Sequence, residues 1–495
     1  MVGGASTAAR RTMGRFAVTF LLVLGCLVPW ALAMPLFSAP DEGAHMVKAY
    51  AVVHGEAGRL DPETGHRYFP VPSVIAHGGD GDNPCFAFQP DQTADCLELH
   101  QTGPVHEVSS SAASYPPFFH LAVGWPSLIT SGSASLYLMR LAGAVLVALF
   151  MALAVESVAR MRGRAPLLLG LAVAVTPAVL YFGAMVNPSG LTIAAALAAW
   201  TGGIFLGRSP GLRRVGWAAA RVGLPLCVVV LLRRDSVLWG GLIIVALVAL
   251  TPWDRLRHLA RCRAVWAWAA AIMGCAVAQL ALSGAETGGA LTGENAGGSF
   301  WNAVNDANFI ARGVAGGILG WFDVTLPFPV FPIYLVSTGF LVIAAIGFAS
   351  RRVGLTLLGM TTAAVAVTVA VGSVRWPYFQ GRYLLPLTVG VPIVAGLGLA
   401  EALGRVRLAL PRRLLWLLFP VLVFAQVFSF AQALRRYVSG ATQDWWFFSA
   451  PRWRPAAGDP TVVVVLYAGA VVVLFAWWYV LARGEEPVDA PGSTG

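Results

Sequence analysis

Long apolar segments recur along almost the whole chain, from Phe16 to Leu481. About 20 apolar residues in a helix cross the roughly 30 Å of hydrocarbon in a bilayer, so each such segment predicts one span. Only 12% of the residues are charged, whereas soluble domains carry about 25%. The pattern predicts an all-α, polytopic transmembrane bundle. It excludes a soluble enzyme with a single anchor and a water-soluble nucleic-acid binder, despite the net charge of +10.

Twelve spans account for these segments, and the Lys and Arg residues between them predict the topology. We predict spans at residues 16–33, 135–158, 165–183, 188–207, 216–232, 236–251, 264–283, 327–349, 353–372, 383–402, 414–432 and 461–482. If the N terminus is placed in the cytoplasm, most Lys and Arg residues fall on the cytoplasmic side of the membrane. Basic residues are enriched on that side of membrane proteins, so both termini are expected in the cytoplasm. The expected organisation is a cytoplasmic N terminus (1–15), a transmembrane domain (16–482) and a cytoplasmic tail (483–495).

The first span has a second interpretation as a cleaved signal peptide, because basic residues precede it and it ends in Ala31-Leu32-Ala33. Its apolar run is longer than the usual 7 to 15 residues of a signal segment. Pro35 also follows within two positions of the proposed cut. We therefore expect the first span to be retained.

The connection at 34–134 is the largest predicted loop on the outer side, and it is acidic. It contains Cys85 and Cys96, eleven positions apart, whereas the other four cysteines lie in apolar spans or in an Arg-rich inner loop. Cysteines on the outer side of a membrane are able to form a disulfide, although two cysteines alone leave the free-thiol alternative open.

The start of this loop predicts a helix that carries a reactive constellation. Ser38 is a suitable N-cap, and Pro40 suits the first turn. Asp41, His45 and Lys48 then follow i, i+4, i+7 spacing and share one helix face. Lys48 is the only lysine in the protein.

Two interpretations of this stretch remain open. In the structural one, Asp41 and Glu42 are first-turn acids that suit the helix dipole, and His45 and Lys48 pair with them. In the functional one, a carboxylate at the bilayer surface acts as a base, Glu42 and His45 position the acceptor or tune that base, and Lys48 binds the substrate.

Five motifs occur in a fixed order along nearly the whole chain. They are Pro40-Asp41-Glu42-Gly43-Ala44-His45, Tyr115-Pro116-Pro117, Asn187-Pro188-Ser189-Gly190, Gly320-Trp321-Phe322-Asp323 and Gln380-Gly381-Arg382-Tyr383-Leu384-Leu385-Pro386. The chain thereby resembles an uncharacterised family of bacterial polytopic membrane proteins that groups with the GT-C superfamily of lipid-sugar-dependent glycosyltransferases.

This resemblance implies juxtamembrane helices at 41–54 and 116–129 that border an active site open to the outer leaflet of the plasma membrane. It also implies one or two loop acids, which fall on Asp41 and Glu42. In GT-C enzymes such a carboxylate takes a proton from the acceptor hydroxyl, which displaces a polyprenyl phosphate from the sugar, usually with inversion. The chain lacks the sizeable soluble C-terminal domain of many GT-C enzymes, so we expect a protein partner or no acceptor-binding module.

Arginines on the outer side are candidates for holding the leaving phosphate, because their forked donors suit it. Arg233 and Arg234 precede Asp235 within a hydrophobic stretch, and Arg375 and Arg382 bracket another outer turn. The alternatives are a solvated turn with an internal ion pair for the first two, and snorkelling to lipid headgroups for the others.

Three further candidates concern hydrogen bonding and metals. Asp323 would orient a sugar hydroxyl or an arginine, with a plain helix cap as the alternative. Asn187 is interpreted first as the residue that starts a helix before Pro188, and as an alternative it would line the site. No cofactor is predicted; the histidine spacings match no common ligand motif, and a divalent metal at Asp41 and Glu42 is left open.

The leading hypothesis is a glycosyltransferase that moves a sugar from a polyprenyl-phosphate donor to an outer cell-envelope glycan or glycolipid. Asp41 is the expected base, and Arg382 the expected phosphate ligand, with help from other arginines. A transporter or flippase for a lipid-linked or anionic solute is one alternative. A non-catalytic envelope-assembly subunit is another.

Overall fold

The predicted helical bundle is confirmed by the computed structural model, which describes residues 2–80, 83–209, 215–284, 301, 304, 307–326, 328–372, 380–442 and 451–483. Within these residues, ten helices are long and apolar enough to cross a bilayer. Two bent helix pairs raise the number to as many as twelve, which agrees with the twelve predicted spans. The chain is therefore a multi-pass membrane protein.

The helices follow the apolar segments closely. The first twelve are α1 (Val2–Ala33), α2 (Glu42–Val53), α3 (Ser73–Ala76), α4 (Pro117–Gly124), α5 (Gly132–Ala159), α6 (Arg164–Ala174), α7 (Pro177–Ala184), α8 (Pro188–Arg208), α9 (Val215–Leu232), α10 (Ser236–Leu250), α11 (Trp253–Ala260) and α12 (Arg263–Gly284). The later ones, identified below by their residues, are Ala307–Ala315, Val330–Phe348, Arg351–Gly372, Leu385–Thr388, Gly390–Arg405, Arg412–Ser439 and Pro460–Arg483.

The predicted span 165–183 is broken into α6 and α7, which meet at 64°. Pro177 occupies the first turn of α7, where its missing N–H costs nothing. The break frees the carbonyl of Val175, and the Gln426 side chain donates to it at 2.7 Å. An amide from a neighbouring helix thus satisfies a backbone group that would otherwise be unpaired in the membrane.

The predicted span 236–251 corresponds to α10, which turns by 120° into the short, charged helix α11. Pro252 lies between the two helices and disfavours helical geometry at the residue before it. The chain therefore leaves the apolar bundle at this point.

The middle of the first loop contains a three-stranded antiparallel sheet, which the sequence analysis did not predict. Its strands are Arg59–Leu60, Arg67–Pro72 and Val105–Ser109, in that order across the sheet. The strands are short, and their only buried apolar side chains, Phe69 and Val71, give too little alternation to predict a strand. A second, two-residue ladder joins Ile318–Leu319 to Val324–Thr325, so the protein is mostly rather than wholly helical.

The two predicted juxtamembrane helices exist with shifted ends. They are α2, and α4 followed by a 3-10 turn at Trp125–Leu128. They pack closely because Gly124 has no side chain: a Cβ there would lie 2.3 Å from the carbonyl oxygen of Ala49. Phe118, Leu121 and Trp125 remain exposed, as expected of a segment at a membrane surface.

A disulfide joins Cys85 to Cys96, so the pairing alternative holds. The chain beside it is fixed by Arg436, near the end of helix Arg412–Ser439. Its guanidinium donates to three backbone carbonyls of the first loop, those of Phe86, Gln89 and Gln92. This contact attaches the first loop to the helical bundle.

Candidate active site

The backbone at Asp41 differs from the prediction and shapes the whole site. Asp41 has φ 65°, in the left-handed region, and stands before the first turn of α2 without capping it through its side chain. Ser38 does not cap the helix either; its carbonyl accepts from the Tyr181 hydroxyl at 3.0 Å. The expectation of one face shared by Asp41, His45 and Lys48 is therefore wrong, because Asp41 lies outside the helix.

Because Asp41 has the left-handed conformation, the carboxylates of Asp41 and Glu42 point in different directions. The Asp41 side chain is 43% exposed, whereas the Glu42 side chain has no exposed surface. Aspartate tolerates the left-handed conformation better than most residues do, but this conformation is still uncommon in residues other than glycine.

Arg382 holds the Asp41 carboxylate. Its Nη2 donates to Oδ2 of Asp41, and its Nη1 donates to the carbonyl of Pro40 at 3.0 Å. Gly381 lets this segment approach helix Ala307–Ala315, because a Cβ there would lie 2.5 Å from the Ile310 carbonyl oxygen. Only 1% of the Arg382 side chain is exposed, so in this state the arginine faces Asp41 and not an open phosphate site.

Asn187 holds the same backbone from the other side. Its Nδ2 donates to the carbonyl of Pro40 at 3.1 Å, and its Oδ1 accepts from the N–H of Ser189 at 2.9 Å. Both ends of the buried amide are thus engaged within the protein. The helix-start interpretation of Asn187 is the one the geometry supports, and Asn187 fixes the position of Asp41 instead of lining an open site.

A second arginine lies beside the first. Arg233 donates from Nε to Asp235 at 2.9 Å and from Nη1 to the Ser189 hydroxyl at 2.9 Å. The Tyr383 ring lies near both guanidinium groups, 4.7 Å from Arg233 and 5.2 Å from Arg382. Cations over an aromatic face are attracted to its electrons, so Tyr383 holds two like charges close together.

Tyr115 completes this part of the site. Its ring lies 5.8 Å from the Arg233 guanidinium. Burial raises the pKa of Tyr115 to about 12, with Asp41 and Asp235 adding to the rise and Arg233 opposing it. The hydroxyl is therefore protonated at neutral pH and able to donate a hydrogen bond. We refer to Asp41, Arg382, Arg233, Asp235, Tyr115 and Tyr383 as the outer-loop cluster.

Glu42 has a different role from the predicted one. It forms a two-bond ion pair with Arg140 of α5, at 2.7 and 2.6 Å, and also accepts from the N–H of Val186. The remaining donors of Arg140 bind the carbonyls of Ala31, Met34 and Pro35. Because neither side chain is exposed, the expectation that Glu42 contacts the acceptor is corrected: the pair anchors the end of α1.

His45 and Lys48 are also buried, which corrects their predicted exposure to substrate. Nδ1 of His45 lies 3.1 Å from Nε2 of His120, and Lys48 donates to the Ala113 carbonyl at 3.1 Å. Burial lowers the pKa of His120 to about 3 and, with help from His120 and the two arginines of the cluster, lowers that of His45 well below 6.5. Both imidazoles are neutral at pH 7.

The other predicted residues lie outside the cluster. Asp323 is buried and accepts from Arg436 at 2.5 Å, so an arginine is the partner that the geometry supports. Arg234 is exposed, unlike its neighbour Arg233. Arg375 lies outside the described residues, as does the C-terminal tail beyond residue 483.

A metal ion has no evident place among the two acids of the first motif, since Asp41 and Glu42 accept from different arginines. Across the described part of the chain, no group of three or more His, Cys, Asp or Glu side chains is arranged to hold a metal ion.

Comparison with known proteins identifies the family. A family model described as "Predicted membrane protein (DUF2142)" matches residues 24–391. The chain belongs to this family. The resemblance drawn from the five motifs is thereby confirmed at the level of the family, and the matched range contains every residue of the outer-loop cluster. No curated protein matches the chain.

Solved structures of ArnT from Cupriavidus metallidurans are similar to the chain. The apo structure has 13% sequence identity and a TM-score of 0.47, and the match covers 97% of this chain and 78% of ArnT. The structure bound to undecaprenyl phosphate has 15% identity and a TM-score of 0.45, with 94% and 77% covered.

Several site residues were missed by sequence reasoning. Arg140 had a usable signal, because it is a charged residue in the interior of an apolar span. Tyr115 and Tyr383 stood within quoted motifs but received no role. His120 and Arg436 had no local signal, since their partners lie 75 and 113 positions away.

Proposed function

We propose that this protein is a membrane glycosyltransferase that transfers a sugar from a polyprenyl-phosphate donor to a hydroxyl of a cell-envelope acceptor. The observation that carries the proposal is the Asp41 carboxylate: it is half exposed, fixed by Arg382, and bordered by two juxtamembrane helices. The cluster lies at the outer surface of the bacterial inner membrane in this proposal, with both termini in the cytoplasm.

The strained backbone supports a functional role for Asp41. A left-handed conformation in a residue other than glycine costs of order 1–3 kcal/mol and persists where surrounding contacts enforce it, often at active sites. Here Arg382 and Asn187 both bind the adjacent Pro40 carbonyl. The protein thus uses two buried side chains to hold one exposed carboxylate.

In the proposed reaction, the Asp41 carboxylate accepts the proton of the acceptor hydroxyl. The hydroxyl oxygen forms a bond to the anomeric carbon of the donor sugar. The bond between that carbon and the phosphate oxygen breaks, and polyprenyl phosphate leaves with the electron pair. One displacement of this kind inverts the configuration of the sugar.

Arg382 has two successive partners in this proposal. In the ligand-free state it donates to the Asp41 carboxylate. A donor phosphate competes with Asp41 for the guanidinium, because forked contacts of arginine suit phosphate. Transfer of Arg382 to the phosphate frees Asp41 to accept a proton. Binding of the donor therefore activates the base.

The experiment is a transfer assay on purified protein in lipid, with radiolabelled polyprenyl-phosphate sugars and cell-envelope acceptors. Loss of a general base lowers rates by about 10²- to 10⁴-fold, so we expect a loss of that size in Asp41→Asn. Asparagine also tolerates the left-handed conformation, so this variant keeps the fold. Asp61→Asn, in an exposed turn of the same loop, is the matched control and is expected to retain full activity.

A folded Asp41→Asn protein that transfers sugar at the native rate would contradict the assignment of the base. Movement of a lipid-linked or anionic solute across proteoliposomes without any acceptor would instead identify a transporter.

A further inference from the structure

A cavity of about 520 Å³ lies at the opposite end of the bundle from the outer-loop cluster. It is lined by Arg208, Ser350, Arg352, Glu401 and Arg405, together with Gly404. These residues stand where α8 ends, where helix Arg351–Gly372 begins and where helix Gly390–Arg405 ends. The cavity therefore opens at one membrane face.

The charges around this cavity favour an anion. Three arginines surround a single carboxylate, Glu401, which pairs with Nη1 of Arg208 at 2.6 Å. Two other donors of Arg208, Nε and Nη2, are buried without a hydrogen-bond partner, and Oε1 of Glu401 has only its ion pair with Arg208. Arg405 donates to the Phe348 carbonyl. The cavity thus holds an excess of positive charge and unused buried donors, which usually find a partner.

An apolar groove of about 560 Å³ continues from this cavity, and Arg352 lines both. The groove runs between α10 and helix Arg351–Gly372. Its apolar lining includes Val245, Ala249, Leu355, Gly359, Ala363 and Leu387. A volume of this size is typical of small-ligand sites.

The length of the groove matches one leaflet of a bilayer. Arg352 and Ala363 are eleven positions apart on one helix, which corresponds to about 16 Å at 1.5 Å per residue. The hydrocarbon core is about 30 Å thick, so the groove ends near its middle. An acyl chain that starts at the membrane face would have the same extent.

We propose that this site binds an anionic phospholipid, with its phosphate at the arginines of the cavity and one acyl chain in the groove. The site lies at the membrane face opposite Asp41, so it is separate from the proposed transfer site. A lipid there would pack between α10 and helix Arg351–Gly372, and α10 begins directly after Asp235 of the outer-loop cluster.

The headgroup half of the proposal is tested by native mass spectrometry of the purified full chain, delipidated and titrated with phosphatidylglycerol or with phosphatidylcholine of the same acyl chains. We expect tighter binding of phosphatidylglycerol. One arginine near an anionic headgroup contributes about a fivefold difference in affinity, so Arg352→Gln should weaken phosphatidylglycerol binding by about this factor. The neighbouring Arg351, which does not line the cavity, gives the matched control Arg351→Gln.

The acyl half is tested by filling the groove. A Cβ at Gly359 meets no atom within 4 Å, and the same holds for Gly354 on the same helix. Only Gly359 lines the groove. We expect Gly359→Leu to abolish the bound lipid and Gly354→Leu to leave it unchanged, with both proteins folded.

Three results would overturn the proposal. The first is equal binding of the two lipids, with Arg352→Gln unchanged. The second is a dimer in the native spectrum that Gly359→Leu disrupts, which would assign the groove to a second copy of the chain. The third is lipid binding that depends on Arg382 and not on Arg352, which would assign the groove to the tail of a donor at the outer-loop cluster. The sugar-transfer assay is independent of all three.

Discussion

Asp41 and Glu42 are adjacent acids that each pair with a different arginine, yet their environments are opposite. The Asp41 side chain is 43% exposed and faces Arg382, whereas Glu42 and Arg140 are completely buried. Every N–H of the Arg140 side chain has an acceptor. In Arg382, by contrast, Nε is buried without one. One pair is a closed structural unit, and the other has capacity for a further ligand.

The difference teaches that a pair of acids in a motif need not act together. The single left-handed residue at Asp41 separates the two side chains, so that one fixes the backbone while the other is partly exposed to solvent. If this comparison is right, substitution of Glu42 affects folding, and substitution of Asp41 affects chemistry.

The largest effect on stability is expected for Glu42→Gln. Removing one partner of a buried ion pair typically costs about 3–5 kcal/mol, because the remaining charge is buried without compensation. We expect a loss of this size in the free energy of unfolding, measured by thermal or denaturant unfolding in detergent. Glu56→Gln, on the exposed part of the same loop, is the control. A fully stable Glu42→Gln protein with impaired transfer would reverse the roles assigned to the two acids.

A smaller loss is expected for Asp323→Asn, which extends the comparison to a third acid. Asp323 pairs with Arg436, but burial raises the pKa of Asp323, and its Oδ1 has no partner. The carboxylate is thus less well satisfied than that of Glu42. Because Arg436 keeps three backbone acceptors, we expect a loss of about 1–3 kcal/mol in the free energy of unfolding. A loss equal to that of Glu42→Gln would contradict this ranking.

The buried histidines predict a dependence of stability on pH. The pKa values of His45 and His120 in the folded state lie below the ordinary value of 6.5. The unfolded chain therefore binds more protons below pH 6.5, and stability falls as the pH decreases. The expected slope is about 1.4 kcal/mol per pH unit for each histidine.

Unfolding measured between pH 7 and pH 5 tests this expectation. His120→Asn should remove up to half of the histidine contribution to the slope. His66→Asn, in an exposed turn, should have no such effect. An unchanged slope in His120→Asn would show that the pair does not govern the pH response.

The smallest effect is expected for Asp235→Asn. The Asp235 side chain is 37% exposed, and ion pairs open to solvent contribute about 0–1 kcal/mol. We expect little change in the unfolding temperature and a modest change in transfer rate. A loss of activity as large as that of Asp41→Asn would mean that Asp235, and not Asp41, is the exposed acid that matters.

Hydropathy was sufficient to predict much of the fold, whereas the sequence predicted the candidate site only in part. The twelve spans were predictable because the bilayer requires long apolar helices with internally paired backbones. The motifs around Asp41 and Arg382 also marked the correct pair of segments, although 341 positions separate the two residues. The small sheet of the first loop was missed because its strands are short and bury few side chains.

The sequence by itself determined that the chain crosses a membrane many times, carries an acidic loop and belongs among lipid-facing proteins. Only the tertiary structure decided which acid is open and which is buried. Helical spacing assumes that a residue lies within the helix, whereas the direction of the Asp41 side chain depends on one left-handed backbone angle. That angle is held by Asn187 and Arg382, which come from distant segments, and no local pattern in the sequence encodes their convergence.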